Sequence, residues 1–333
     1  MNLRKVRRMA IVGLGSIGRR HLRVLKTARP EIEVVLMRSG HGGDWPEEQM
    51  ASFNVRTVEE AVSLGVDAAI VASPTPSHVK QAKILIGSGV SVLIEKPLSH
   101  DLEGVRELAA LSKEMGVKAL VGYVLRYSES LQHFHEQIKS GKVGDPLFVR
   151  IECGSYLRDW RPEQDYRNSV SARSELGGGV ILELSHELDY ANAFFGPFES
   201  VSAVVRNTGS LGIDVEDFSH MTFMNKSNGY AVMVSVDFCR RDAARICSLH
   251  GTEGTLVWDG INNNVTLDSG SGVVDKKNFY FKRDELFCSQ IEHFLNCVES
   301  GEVPRVSIDD AADVLDMIDA ARQSDAEKRT VSL

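Results

Sequence analysis

The chain has 333 residues, 43% hydrophobic and 25% charged, with a formal net charge of −8. That composition and length fit a globular protein of about two domains. The acidic balance argues against a nucleic-acid partner held on a basic face, and no apolar run approaches the roughly 18 residues a membrane span needs.

The N-terminal stretch MNLRKVRR is basic, but the MAIVGLG that follows is too short and too glycine-rich for a secretory h-region. MAIVG (9–13) reads as a strand, IGRRHLRVLKTA (17–28) as a helix and EVVLM (33–37) as a second strand. TVEEAVSLG opens with capping-box spacing, Thr57 to Glu60, and reads as a short helix. DAAIVAS (67–73), SVLIEK (91–96) and KALVGY (118–123) are further buried strands, with SHVKQAKILIGSG and DLEGVRELAALSKEMG as the helices between them. Continuous apolar strands separated by helices specify an α/β domain on a doubly wound parallel sheet, expected over 1–124.

The pattern changes near residue 125. A helix at 129–140 precedes PLFVRIECG, an irregular polar stretch runs to 176, and a helix follows the glycines of GGGVILELSHELDY. Strand-like runs then succeed one another with almost no helix between them: 199–208, 217–225, 229–239, 244–251, 254–259 and 263–269, with NKSNG as a turn. Helices at 285–300 and 309–324 close the chain. The expectation for 125–333 is an α+β domain on one large, open, mostly antiparallel sheet.

Between the first strand and the first helix, VGLGSIG places Gly13, Gly15 and Gly18 in GxGxxG spacing, with Leu14, Ser16 and Ile17 completing the loop. In that context the glycines allow a tight turn, close approach to a pyrophosphate and helix–strand packing, and the helix N-terminus faces the phosphates. The N-terminal domain is therefore a Rossmann dinucleotide-binding domain. An acid usually ends the second strand to bond the ribose 2′-hydroxyl; here Arg38 and Ser39 stand in its place. A guanidinium pairs with a 2′-phosphate, which favours NADP(H) over NAD(H). The alternative is that Arg38 stacks on the adenine of either cofactor. Lys96 ends another parallel strand, where open α/β sheets bind ligands, and a lysine there polarises a substrate oxygen.

On VILELSHELDYANAFF, read as one helix, Ile181, Leu184, Leu188, Ala191 and Phe195 form an apolar stripe. His186 falls about 200° from Leu184, on the opposite side. Glu183 and Asp189 lie on the histidine's side; they either orient the imidazole or are plain helix-face charges. The three glycines before the helix read as room made for cofactor or substrate. The loop YLRDWRPEQDYRNSVSARSE (156–175) offers Trp160 and Tyr166 for stacking on a sugar and Asp165 and Arg167 for hydrogen bonds, or it is a solvated loop or subunit contact. Arg158, Arg161 and Arg173 add positive charge suited to a phosphate or carboxylate.

SPTPSH (73–78) after one buried strand, EKP (95–97) ending the next, the N-terminal GxGxxG and the later GGG…H…D occur in order, followed by HGTEGTLVWDG and FLNCVESGEVPRVSIDDA. The chain thereby resembles, nearly end to end, the glucose–fructose oxidoreductase / inositol dehydrogenase / rhizopine-catabolism (Gfo/Idh/MocA) family. The resemblance implies NAD(P)-dependent oxidation or reduction of a sugar, polyol or nucleotide-linked sugar, and a homodimer or homotetramer formed through the C-terminal sheet. It implies that Ser73, Pro74, Thr75 and His78 line the cofactor's diphosphate and ribose. Glu95 is implied at the nicotinamide ribose, Lys96 at the nicotinamide and reacting hydroxyl, and Pro97 as a fixed turn. Tyr123 and Arg126 are similar to the family's substrate-contacting segment, and His186 to its acid–base residue. The family often has Asp four residues before that histidine; here Leu182 stands there, so the orienting acid is left to Glu183 or Asp189. Two alternatives stay open: a sensing regulator without catalysis, and a reductase of a non-sugar carbonyl or imine. The five cysteines are scattered with no CxxC pair and read as reduced thiols of a cytoplasmic protein. No metal site is expected, since the HxH of His133 and His135 lies on a helix where residues two apart diverge.

Overall fold

Buried apolar runs build the first sheet. The computed structural model describes residues 5–40, 43–270 and 274–333; the first four residues of the basic N-terminal stretch lie outside them. In chain order the first elements are β1 (Arg8–Val12), α1 (Ser16–Ala28), β2 (Glu33–Met37), β3 (Phe53–Val55), α2 (Val58–Ser63), β4 (Ala68–Val71), α3 (His78–Gly87), β5 (Ser91–Ile94), α4 (Val105–Glu114) and β6 (Ala119–Val121). The strands form a six-stranded sheet in the order β3-β2-β1-β4-β5-β6, all neighbours parallel. Ala68–Val71 and Ser91–Ile94 are buried throughout, as a parallel sheet covered on both faces requires. Thr57 caps α2 by accepting the Glu60 N–H at 3.2 Å, while Glu60 reaches back one residue further than a regular capping box, to the Arg56 N–H at 2.7 Å.

The second set comprises α5 (Glu129–Lys139), β7 (Pro146–Gly154), α6 (Val180–Glu183), α7 (His186–Phe195), β8 (Phe198–Arg206), β9 (Phe218–Asn225), β10 (Ala231–Asp237), β11 (Ala244–Gly251), β12 (Thr255–Asp259), β13 (Asn264–Asp268) and β14 (Val274–Asn278). With the C-terminal β15 (Val331–Ser332) these strands make a nine-stranded sheet ordered β14-β13-β12-β11-β7-β10-β9-β8-β15. Every pairing is antiparallel except β10 with β7. In β9, β10 and β12 buried residues alternate with half-buried ones. The buried face packs under α5, α6 and α7. At its centre Trp258 is buried, with its indole N–H donated to Ser130 Oγ at 2.9 Å. The other face carries the half-buried Thr222, Met224, Met233, Ile246 and Val257.

Two compact units result. One is Met1–Val124 with Lys282–Ala312, the other Leu125–Phe281 with Asp313–Leu333. The helix α8 (Arg283–Ser300) and the start of α9 (Ile308–Glu327) thus join the first unit, which a single break after residue 124 does not describe. The reason is local packing: α8 lies against α1, Arg29 grips Glu292 through two bonds of 2.8 and 2.6 Å, and the Val6 N–H reaches Glu299.

Candidate active site

In the first unit, Gly15 is the N-cap of α1 and makes no side-chain cap, and the first turn has no acidic residue. The first N–H groups of a 13-residue helix are left to an external acceptor. A Cβ on Gly15 would meet nothing within 4 Å, whereas one on Gly18 would sit 2.1 Å from the Gly13 carbonyl oxygen. Gly15 is therefore open towards a ligand and Gly18 closed against its own loop, the division of labour a pyrophosphate cradle needs. Ser16 is exposed, Ile17 half-buried and Leu14 buried. These residues fit a bound dinucleotide.

Arg38, just beyond β2, binds the Glu48 carboxylate and donates to the Gly43 carbonyl at 2.5 Å. Ser39 beside it is exposed. The Trp45 backbone N–H, then Arg38 and Arg56, hold the Glu48 carboxyl below the usual carboxylate range against a smaller desolvation. Arg19 lies over the Trp45 ring at 3.8 Å. The end of β2 is thus a cationic corner, with one carboxylate already occupying Arg38.

Ser73 donates to Gln81 Oε1 at 2.6 Å, Pro74 is exposed and Thr75 is buried. His78 departs from what the resemblance implies. Its ring is 1% exposed, with Nε2 2.8 Å from the Ser73 carbonyl and Nδ1 3.0 Å from the Pro97 carbonyl. Burial pushes its pKa down against the two carbonyls, which pull the other way. It braces the two loops instead of lining the cofactor. Glu95 also turns inward: its Oε1 lies 2.5 Å from His21 Nε2, and its Oε2 accepts the Lys96 N–H at 3.2 Å. Lys96 is half-buried two residues past the end of β5, and Pro97 is buried.

In the second unit the helix read as continuous is broken. Residues Val180–Glu183 form α6, Leu184 leaves helical geometry at φ −99° and ψ 28°, and α7 starts at His186. Ile181, Leu184, Leu188, Ala191 and Phe195 are all buried as the stripe predicts, but so are Leu182, Asp189 and Tyr190. The segment is enclosed nearly all round, and half-buried His186 opens a helix instead of standing midway along one. At two of the three glycines the room is taken by the protein's own atoms. A Cβ on Gly178 would lie 2.3 Å from the Val170 carbonyl, and one on Gly179, at φ +115°, 2.5 Å from Glu216.

Asp189 is 3% exposed and 3.7 Å from the Arg126 guanidinium. Glu183 is half-buried one turn before His186. Glu187 is fully buried and accepts from Arg245 on β11 at 2.8 Å. Burial works hardest against the Arg245 charge, but Glu187, Cys153 and Tyr190 together hold the guanidinium above its usual range. Burial, then Glu187, pushes the Cys153 thiol up to about 12, and the same two causes raise Tyr190. A buried acid within an apolar stripe was the available signal. Tyr123 is fully buried and belongs to the core, not to a substrate surface.

The polar loop folds around a cleft of about 840 Å³ lined by Tyr156, Arg158, Asp159, Asp165, Tyr166, Arg167 and Arg241. Arg241 lies over Tyr156 at 3.5 Å and Arg158 over Tyr166 at 5.6 Å. Arg167 pairs with Asp165 at 2.8 Å, and Tyr166 donates to the Leu211 carbonyl at 2.7 Å. Trp160 is not in this lining: its indole N–H is donated to Ser155 at 2.7 Å and its ring stands edge-on to Phe238 at 5.3 Å. Arg173 is engaged by Glu175. No group of three or more His, Cys, Asp or Glu suited to a metal ion occurs among the described residues, and none of their helices is long and apolar enough to cross a membrane.

Two family models cover the chain. The model described as "Oxidoreductase family, NAD-binding Rossmann fold" matches residues 7–123, and "Oxidoreductase family, C-terminal alpha/beta domain" matches 135–333. The chain belongs to the Gfo/Idh/MocA oxidoreductase family. Among relatives in this family, a scyllo-inositol 2-dehydrogenase (NAD(+)) of Bacillus subtilis (strain 168) is 26% identical over 335 residues, covering 95% of this chain and 93% of the relative. A 1,5-anhydro-D-fructose reductase of Ensifer adhaerens is 26% identical over 279 residues, covering 81% and 80%. A structure of levoglucosan dehydrogenase with NADH and levoglucosan shares the fold at a TM-score of 0.86 over 98% of both chains, with 17% identity. The Gfo/Idh/MocA chain described here is thus an oxidoreductase with an NAD-binding Rossmann domain.

Proposed function

We propose that the protein moves hydride between a nicotinamide and the hydroxyl or carbonyl carbon of a sugar, polyol or nucleotide-linked sugar. The observation that carries this reading is Lys96 at the carboxyl end of β5, in the same sheet whose first βα turn is open for a pyrophosphate at Gly15. Gly13, Gly15, Gly18 and the N-terminus of α1 would hold the diphosphate, with Ser73 and Pro74 beside it. When bound, the nicotinamide supplies the hydride acceptor or donor. The Lys96 ammonium donates to the substrate oxygen and stabilises charge developing there. His186 takes the hydroxyl proton in oxidation and returns it in reduction. Glu183 and Asp189 act on the orientation of that ring, and Arg126 reaches the substrate from beside Asp189. In the cleft, Asp165, Tyr166 and Arg167 contact the sugar, and Arg158 and Arg241 favour one bearing a carboxylate or phosphate.

For the cofactor we place NADP(H) ahead of NAD(H). A 2′-phosphate would displace Glu48 from Arg38, with Arg56 close enough to share the charge. Arg38→Ala should then weaken NADP(H) more than NAD(H), and Glu48→Gln should tighten NADP(H). Equal loss of both cofactors in Arg38→Ala would assign the guanidinium to adenine stacking. The half-buried sheet face with Met224, Met233, Ile246 and Val257 supports assembly of identical subunits. The buried free thiols of Cys153, Cys247 and Cys297 suit the cytoplasm.

The test is nicotinamide turnover with NAD(H) and NADP(H) on scyllo-inositol, 1,5-anhydro-D-fructose, levoglucosan and UDP-sugars. Lys96→Met and His186→Asn should each lower kcat by about 10²- to 10⁴-fold with cofactor affinity retained. Wild-type turnover in either variant removes that residue from the chemistry. Tight cofactor binding with no turnover on any substrate would make the protein a sensor.

A further inference from the structure

We propose that His21 and Glu95 are positioning residues for Lys96, linking the nucleotide-binding helix to the backbone of the lysine. The inference rests on the reading of Lys96 as the oxygen-polarising group. His21 lies on α1 three residues past Gly18, and its side chain has no exposed surface. Its Nε2 is 2.5 Å from Glu95 Oε1. Its Nδ1 has no hydrogen-bond partner and is buried. An orphaned acceptor is tolerated better than an orphaned N–H, so the proton sits on Nε2 and is donated to the carboxylate. The other carboxylate oxygen, Oε2, accepts the Lys96 backbone N–H at 3.2 Å. The ring also packs against Phe287, with centroids 5.5 Å apart at 79°.

The connection is continuous: α1 to His21, His21 to Glu95, Glu95 to the peptide of Lys96. His78 supports the other flank at the Pro97 carbonyl, 3.0 Å away. A buried carboxylate–imidazole pair is a poor way to gain stability, since apolar residues of similar volume generally do as well. What this pair gives that apolar residues would not is a directional bond ending on the lysine's own N–H. The same helix presents its N-terminus to the pyrophosphate, so seating of the cofactor and placement of the Lys96 side chain share one rigid element.

The discriminating pair is His21→Gln against His21→Asn, assayed in the full chain with whichever panel sugar turns over best, using the oxidised nicotinamide for a hydroxyl substrate and the reduced one for a carbonyl. A glutamine amide reaches the Nε2 position; an asparagine amide reaches only Nδ1. Asn should lower kcat by about 10- to 100-fold, the scale of a misplaced reacting group, with the sugar KM and NADH affinity within about threefold of wild type. Gln should restore kcat to within about fivefold of wild type. Equal kcat in the two variants, or a loss in Asn that appears wholly in NADH affinity or melting temperature, overturns the proposal. Lys96→Met is run alongside. Wild-type turnover there refutes the reading of Lys96, whereas a dead Lys96→Met with a fully active His21→Asn refutes the linkage alone.

Discussion

Replacing Arg245 by methionine removes the guanidinium that pairs with Glu187 at 2.8 Å while keeping most of the side-chain length. Glu187 has no exposed surface, and Cys153, Tyr190 and Cys247 are close enough for its charge to raise each of their pKa values. Stripping one partner from a buried pair leaves an uncompensated charge and typically costs about 3–5 kcal/mol. The Arg245 side chain is 25% exposed, so water reaches the vacated side and the lower end, about 3 kcal/mol, applies. In a unit of about 180 residues, each kcal/mol moves the midpoint by about 2–4 °C, so melting by circular dichroism should fall by about 6–12 °C. The double variant Glu187→Gln/Arg245→Met removes both charges and should recover at least half of that loss, because a neutral pair has much less to desolvate. A fall below about 2 °C in the single variant, or a double variant no better than the single, would refute the assignment of a buried, charge-dependent anchor under α7.

Gly15→Ala and Gly18→Ala should separate ligand approach from loop packing. The first meets open space and keeps the wild-type melting temperature, yet should weaken NAD(H) binding by titration calorimetry. The second puts a Cβ 2.1 Å from the Gly13 carbonyl oxygen and should lose both stability and affinity, with about 1–3 kcal/mol of strain. Unchanged NAD(H) affinity in Gly15→Ala would contradict the cradle. His135, stacked on Phe194 at 4.1 Å, is pushed down to about 4 by burial and then by Lys139 and Arg126. The unfolded chain therefore binds the proton first as pH falls from about 6.5, and stability declines between there and about 4. Discounted for partial exposure, the contribution is about 1–2 kcal/mol. His135→Phe should flatten that part of the urea-unfolding profile, and an unchanged slope would exclude His135 as its source.

The elements that position the site were legible where burial imposes a period. Continuous apolar runs gave β1, β2, β4, β5 and β6, and strand-like runs with little helix between them gave β7 through β13 to within a residue or two at most ends. Three of the four edge strands were not legible. Phe53–Val55, Val274–Asn278 and Val331–Ser332 are short or polar, and they are strands because a neighbour offers a free ladder, not because of their own pattern. The break between α6 and α7 was hidden for a related reason. Leu184 and Leu188 keep helical spacing across it, so the periodicity survives a kink that the backbone does not. The partners of buried polar groups were hidden by distance along the chain: Glu187 meets Arg245 58 residues later, and His21 meets Glu95 74 residues later.

Those partners nevertheless left a trace. On α1 the buried positions are Gly18, His21, Leu22, Val24 and Leu25, so His21 stands within an apolar stripe. A histidine there must find a buried acceptor or donor. The candidates are the residues just past the carboxyl ends of the six parallel strands: Gly13, Arg38, Arg56, Ala72, Glu95 and Gly122. Only Glu95 offers an anionic acceptor for the imidazole N–H. The same reasoning on GGGVILELSHELDY isolates Glu187, an acid one residue ahead of Leu188 in a segment enclosed nearly all round. In both units the group proposed to do chemistry, Lys96 or His186, is adjacent in sequence to a buried carboxylate that is itself held by a distant cation or imidazole. Glu95 fixes the backbone beside it through the Lys96 N–H, and Glu187 ties α7 to β11 through Arg245. A reacting side chain needs that fixity, and apolar packing, which tolerates sliding, supplies less of it.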